Sequence, residues 1–151
     1  MTRINLVPPS ELYDQHLFAE FREIKMVPKS LARSLKASKA RGETLLQFWQ
    51  RLPKAYTLNT GHVSFFYDKG TYLYWRYADL RRELEDRGFN FDRESKLDPD
   101  GVFASLDHDF NNDYVPTPEA LAIIRARIAE KVALKPDWYR RTPSDRYKRT
   151  A

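Results

Sequence analysis

No run of this chain alternates apolar and polar residues with the two-residue period of a half-buried strand; wherever a period is legible, it is that of a helix. That constrains the fold more than any other feature, because a chain without strands must build its core by packing helix on helix. Three main helices separated by long loops are expected. Pro8-Pro9 followed by Ser10, a good N-cap, opens a helix over ELYDQHLFAEFREIK to about Lys25. Pro28 offers no N–H to the turn behind it and breaks or kinks this helix, and KSLARSLKASKA continues helically with Leu31 and Leu35 four residues apart. The stretch RGETLLQFWQRLPKAYTLNTG is expected to be loop, with one short turn over residues 45–49. Gly61 then leads into HVSFFYDKGTYLYWRYADLRRELEDRG, a second long helix with Phe66, Leu73, Tyr77, Leu80 and Leu84 at mostly helical spacing. Gly70 weakens its middle, Gly88 caps its end, and the FFY run is core. Thr117-Pro118-Glu119 supplies an N-cap, a proline at the first position and an acid in the first turn. A third helix therefore runs over EALAIIRARIAEKVALK to the Lys135-Pro136 stop, and the aromatic-containing polar tail DWYRRTPSDRYKRTA follows.

At 151 residues, 42% of them hydrophobic, one domain over residues 1–151 can bury a core without staples. The absence of Cys excludes disulfides, thiolate chemistry and Cys-ligated zinc. The apolar runs are too short to span a bilayer, and MTRIN lacks the apolar core of a signal peptide, so no membrane association and a cytoplasmic location are expected. The net charge of +5 is unevenly placed. Nine basic residues face two acids over residues 22–54, and six face two over residues 135–151, whereas residues 92–113 hold seven acids and two basic residues. A basic face on a small domain points to nucleic acid, the alternative being a merely solvated surface.

The first helix is two-faced. On a wheel of 100° per residue, Leu17, Phe18, Phe21 and Ile24 form a core-facing stripe, and Gln15, His16, Ala19, Arg22 and Glu23 lie opposite within about 120°. Such a charged stripe is ordinarily a solvated face. Residues 3–9 can reach about 20 Å, far enough for the N-terminal segment to fold back over it.

The segments MTRIN, SELYDQHLFAEFRE, GHVSFFYDK, NDYVP, ARIAEK and PDWY resemble, in order and similar spacing, the phage-type endonuclease V family of pyrimidine-dimer DNA glycosylases with abasic-site lyase activity. The resemblance covers nearly the whole chain. It implies a single all-α domain of three helices whose N-terminal segment passes toward the active site, acting on damaged double-stranded DNA as a monomer without cofactor or metal. It further implies that Thr2, freed by removal of Met1, supplies an α-amino nucleophile, and that Glu23 is the catalytic carboxylate. Arg3 and Arg22 correspond to arginines that grip phosphates beside the lesion, and Gln15 and His16 to polar residues lining the site. Arg127 and Lys131 correspond to basic residues facing DNA, and Trp138 and Tyr139 to an aromatic C-terminal segment near the substrate. This chain departs from the family at Met26, where the phage proteins carry an arginine; Lys25 and Lys29 are the nearby cations here. The region 42–54 and the acidic loop near Asp98 are longer than in the phage proteins, and the end of the chain is less aromatic.

The residue types suit that chemistry. A terminal amine has a reference pKa of about 7.7–8.0 against about 10.4 for Lys, so a far larger share is free base at neutral pH. Neighbouring Arg3 and Arg22 favour the neutral form further. A free amine can attack C1′, expel the base and leave an imine, which acidifies the C2′ proton for β-elimination. Glu23 can stabilise positive charge on the sugar and take part in proton transfer. His62 reads as a helix-start residue outside this chemistry. Two other readings are a lyase acting mainly on abasic or other damaged sites, and a non-catalytic helical DNA-binding protein.

Overall fold

A computed structural model describes residues 3–144. Among them lie five α-helices: α1 (Asp14–Glu23), α2 (Met26–Ala40), α3 (Leu45–Gln50), α4 (Gly70–Asp86) and α5 (Pro118–Leu134). Three short 3-10 turns, Pro9–Glu11, Ser64–Phe66 and His108–Phe110, punctuate the loops. The only extended pairing among the described residues is an isolated bridge between Lys69 and Asn111, so the fold is all-α.

The first expected helix is divided twice. Residues from Ser10 do not join it, because Pro9–Glu11 forms a 3-10 turn and Leu12 and Tyr13 are extended. The cause lies on α4: the Arg87 guanidinium, buried just past that helix, takes the carbonyls of Pro9 (3.1 Å) and Leu12 (2.8 Å). The second division falls at Ile24–Lys25, not at Pro28. A Pro28 ring inside a continuous helix would collide with the carbonyl of Ile24, whereas in the first turn of a new helix its missing N–H costs nothing. The short turn expected at 45–49 is α3, closed by a capping box in which Thr44 and Gln47 exchange hydrogen bonds.

The second expected helix starts eight residues late. Ser64–Phe66 is a 3-10 turn, and Gly70 is the first residue of α4 instead of a weak point in its middle. A Cβ at Gly70 would fall on the Asn111 side chain and lie 2.7 Å from Cδ1 of Phe103, so the loop that closes over the start of α4 requires glycine there. At the other end Gly88 has φ 78°, with its N–H on Glu85 and the Phe89 N–H on Leu84, the paired bonds of a Schellman cap. α5 begins as its sequence signals say, with the Thr117 hydroxyl accepting from the Ala120 N–H.

α1 and α4 pack along each other. Leu17, Phe21 and Ile24 meet Leu73, Tyr77, Leu80 and Leu84, all buried, and Phe21 stacks on Tyr77 at 5.0 Å. Each such side chain contributes about 1.5–3 kcal/mol of burial. Phe65, Phe66 and Tyr67 are buried as expected. The N-terminal segment does fold back: Ile4, Asn5, Leu6 and Val7 are all buried. None of the helices among the described residues is long and apolar enough to cross a membrane.

Candidate active site

Where the N-terminal segment crosses α1, it forms one wall of an open cleft of about 480 Å³. Arg3 and Asn5 come from that segment, and His16, Ala19, Glu20 and Glu23 from α1. Arg127, Ile128 and Lys131 come from α5, and Tyr139 from the chain beyond it. His16, Ala19, Glu20 and Glu23 fall at three- and four-residue spacings along α1 and so share this face. A second cleft of about 690 Å³ adjoins the first; Arg3 and Arg127 line both, with Tyr56 and Asn59 on one flank of the second and Ile123 and Glu130 on the other.

The two carboxylates in the first cleft differ in kind. Glu20 is 1% exposed and saturated: it accepts from the Asn5 N–H (3.1 Å), the Asn5 amide (2.9 Å) and the Arg76 guanidinium (2.6 and 3.0 Å). Glu23, half-buried one turn further on, has no hydrogen-bond or ion-pair partner among the described residues. It is the carboxylate open to a bound molecule. The sequence reading missed Glu20, whose signal was an acid bordering the apolar stripe of α1; its partner Arg76 lies 56 residues away and has no local signature.

The N-terminal segment is held by hydrogen bonds at residues 3, 4, 5 and 7. Arg3 donates to the Leu58 carbonyl (2.9 Å), and the Ile4 N–H donates to His62 Nε2 (2.9 Å). The Ile4 carbonyl accepts from the Tyr56 hydroxyl (2.8 Å), and the Val7 carbonyl from Arg76. Between them Leu6 adopts φ 59°, and the Val7 N–H reaches back to the Asn5 carbonyl, a γ-turn in the left-handed region. A branched side chain there costs on the order of 1–3 kcal/mol and persists only where its surroundings over-determine it. His62 is thus no helix-start residue: it is 2% exposed and fixes the chain that carries Arg3.

His16 stacks on Tyr139, ring centres 4.8 Å apart, and its Nδ1 is buried without a partner among the described residues. Burial pushes His16 below its ordinary value; the charge of Glu20 opposes this and that of Lys131 adds to it. A neutral imidazole results at pH 7. Tyr139 is carried there by a strap running back along the start of α1. The Asp14 N–H donates to the Arg140 carbonyl (2.6 Å), and the Asp14 carboxylate accepts from the N–H (3.0 Å) and hydroxyl (2.6 Å) of Thr142.

Gln15 belongs to this strap and does not line the cleft. Its amide donates to the Trp138 carbonyl and accepts from the Arg140 N–H (3.1 Å), so it pairs with two backbone groups as a neighbouring strand would. Trp138 sits edge-on to Tyr139 at 4.9 Å and is 54% exposed. Tyr139 turns toward α1, whereas the Trp138 ring has the Lys135 ammonium, at the end of α5, 5.7 Å from its centre. Lys25 is engaged elsewhere, donating to Ser95 Oγ (2.9 Å) on the loop after α4, and Arg22 is exposed outside the cleft lining. Thr2 lies outside the described residues.

The cleft sets Arg3, Arg127 and Lys131 beside the uncommitted Glu23 carboxylate and the Tyr139 ring, a positive field suited to an anionic ligand. A family model described as pyrimidine dimer DNA glycosylase matches residues 1–97. The chain belongs to the pyrimidine dimer DNA glycosylase family. The match spans the N-terminal segment and α1 to α4; α5 and the strap lie beyond it, yet the fold returns both to the cleft that the matched region builds.

Proposed function

We propose that this protein excises ultraviolet-induced pyrimidine dimers from duplex DNA and then cuts the strand at the abasic site, using the α-amino group of Thr2 after removal of Met1. The observation that carries the reading is that Arg3 and Glu23 line one cleft: the residue following Thr2 shares it with the one carboxylate there that has no partner among the described residues. Family membership supports the glycosylase half.

The amine, neutral in part at pH 7 and kept so by Arg3 beside it, attacks C1′ as the C1′–N bond to the damaged base breaks. The base leaves with one amine proton; the C1′–O4′ bond then breaks, O4′ takes up the second amine proton as the sugar ring opens, and an imine to C1′ remains. Glu23 stabilises the cationic sugar and takes part in removing the C2′ proton, whereupon the 3′ phosphate departs by β-elimination. Arg3, Arg22, Arg127 and Lys131 hold phosphates, Lys25 adding charge nearby, and Tyr139, braced by His16, supplies a flat surface where the duplex is opened, with Trp138 at its rim. Gln15 serves by holding that surface in place. No cofactor or metal enters this scheme, and the protein acts as a monomer on damaged double-stranded DNA.

The test is nicking of supercoiled plasmid with and without ultraviolet irradiation. Nicking confined to irradiated plasmid is expected. Cleavage of abasic plasmid alone would favour a general abasic lyase, and binding without nicking would favour a non-catalytic DNA-binding protein.

A further inference from the structure

The geometry around Ile4 has a use beyond folding. His62 Nδ1 lies 2.8 Å from the Thr57 carbonyl, which can only accept, so Nδ1 carries a hydrogen; the Ile4 N–H can only donate to Nε2, so that nitrogen is bare. The imidazole is therefore neutral and in one tautomer. With the Tyr56 hydroxyl on the Ile4 carbonyl, the peptide groups on both sides of Ile4 are fixed. The next residue is fixed by Glu20, and the strained turn at Leu6 stops the segment from sliding. Apart from half-buried Thr57 these residues are buried, and of them only Asn5 and Glu20 line the cleft with Glu23.

We propose that neutral His62 is the positioning residue for the N-terminal nucleophile, holding the Ile4 amide two residues from Thr2 so that the amine is aimed at the cleft; this rests on the assignment of the Thr2 amine above. A protonated His62 would present N–H to N–H and release Ile4, so the clamp opens in acid. Three groups face the ring: Arg3 from the N-terminal segment, Glu20 from α1 and Tyr56 from its own loop. Burial keeps His62 below its ordinary value, with the Thr57 bond and Glu20 opposing and Arg3 adding. Tyr56, pushed upward mainly by burial, stays a neutral donor. The clamp is thus closed at neutral pH and lost only as pH falls below the usual histidine range.

The test uses the full chain with its native N-terminus. Protection of the Ile4 amide against hydrogen exchange, followed downward from neutral pH, should be lost below the usual histidine range as His62 takes up a proton, while amides inside α4 keep theirs. Undiminished Ile4 protection at the acid end overturns the neutral clamp, and this measurement needs no variant. His62→Leu should lower the single-turnover rate of borohydride-trapped adduct on an abasic duplex by about 100-fold, with the dissociation constant changed less than about threefold. His62→Gln, whose amide oxygen can accept from Ile4 and does not titrate, should recover most of the rate. An adduct on Thr2 formed at the native rate by His62→Leu refutes the positioning role alone. An adduct on a lysine, with Ile4 still protected at neutral pH, refutes the assignment of the amine and the positioning role with it.

Discussion

Glu20 and Glu23 sit one turn apart on α1, border the same cleft, and are opposite in chemistry. Four donated hydrogen bonds commit Glu20 to the fold, while Glu23 keeps its lone pairs for whatever enters. Sequence alone ranks them the other way round for visibility: Glu23 stands out by resemblance, and Glu20 by nothing except its place beside the apolar stripe. The role proposed for Glu23 is electrostatic, so Glu23→Gln, equal in size but uncharged, should cut strand cleavage by roughly 10²–10⁴-fold. Binding to damaged duplex should survive or tighten, because one anion near the phosphates is gone. Single-turnover nicking paired with fluorescence anisotropy separates the two effects, and a native cleavage rate would remove Glu23 from the mechanism.

The elements meet through buried charges as much as through apolar stripes. Arg76 on α4 ties α1 by Glu20 and the N-terminal segment by the Val7 carbonyl, and is only 5% exposed. Arg76→Ala would leave Glu20 buried without its cation, at a cost of about 3–5 kcal/mol. Chemical denaturation should register this as an earlier midpoint, and a loss under about 1 kcal/mol would mean that Glu20 finds water or another donor. The same long-range contacts explain which helix ends were legible. The start of α5 and the end of α4 are written locally, in Thr117-Pro118-Glu119 and Gly88, and both stand as read. The start of α1 is decided by Arg87 and that of α4 by the packing of Phe103 and Asn111 on Gly70, contacts that no local window contains.

In the whole molecule, residues 3–7 and residues 138–142 converge on one helix. The N-terminal segment lies along one side of α1, the C-terminal strap covers its first turn, and α5 contributes the cations between. The helical class and the face of α1 were legible because a period of 3.6 residues survives averaging. The strap was not, since Gln15 recognises backbone groups more than 120 residues away and backbone carries no sequence signal. This convergence is what brings Arg3 to the cleft that Glu23 lines, and the central claim is that the Thr2 amine is the nucleophile. Borohydride added during reaction with a dimer-containing duplex, followed by peptide mapping of the trapped adduct, tests it most directly. The account predicts a covalent adduct on Thr2, and no adduct or cleavage when the terminus is blocked. An adduct on a lysine, or full cleavage by the blocked protein, would contradict it.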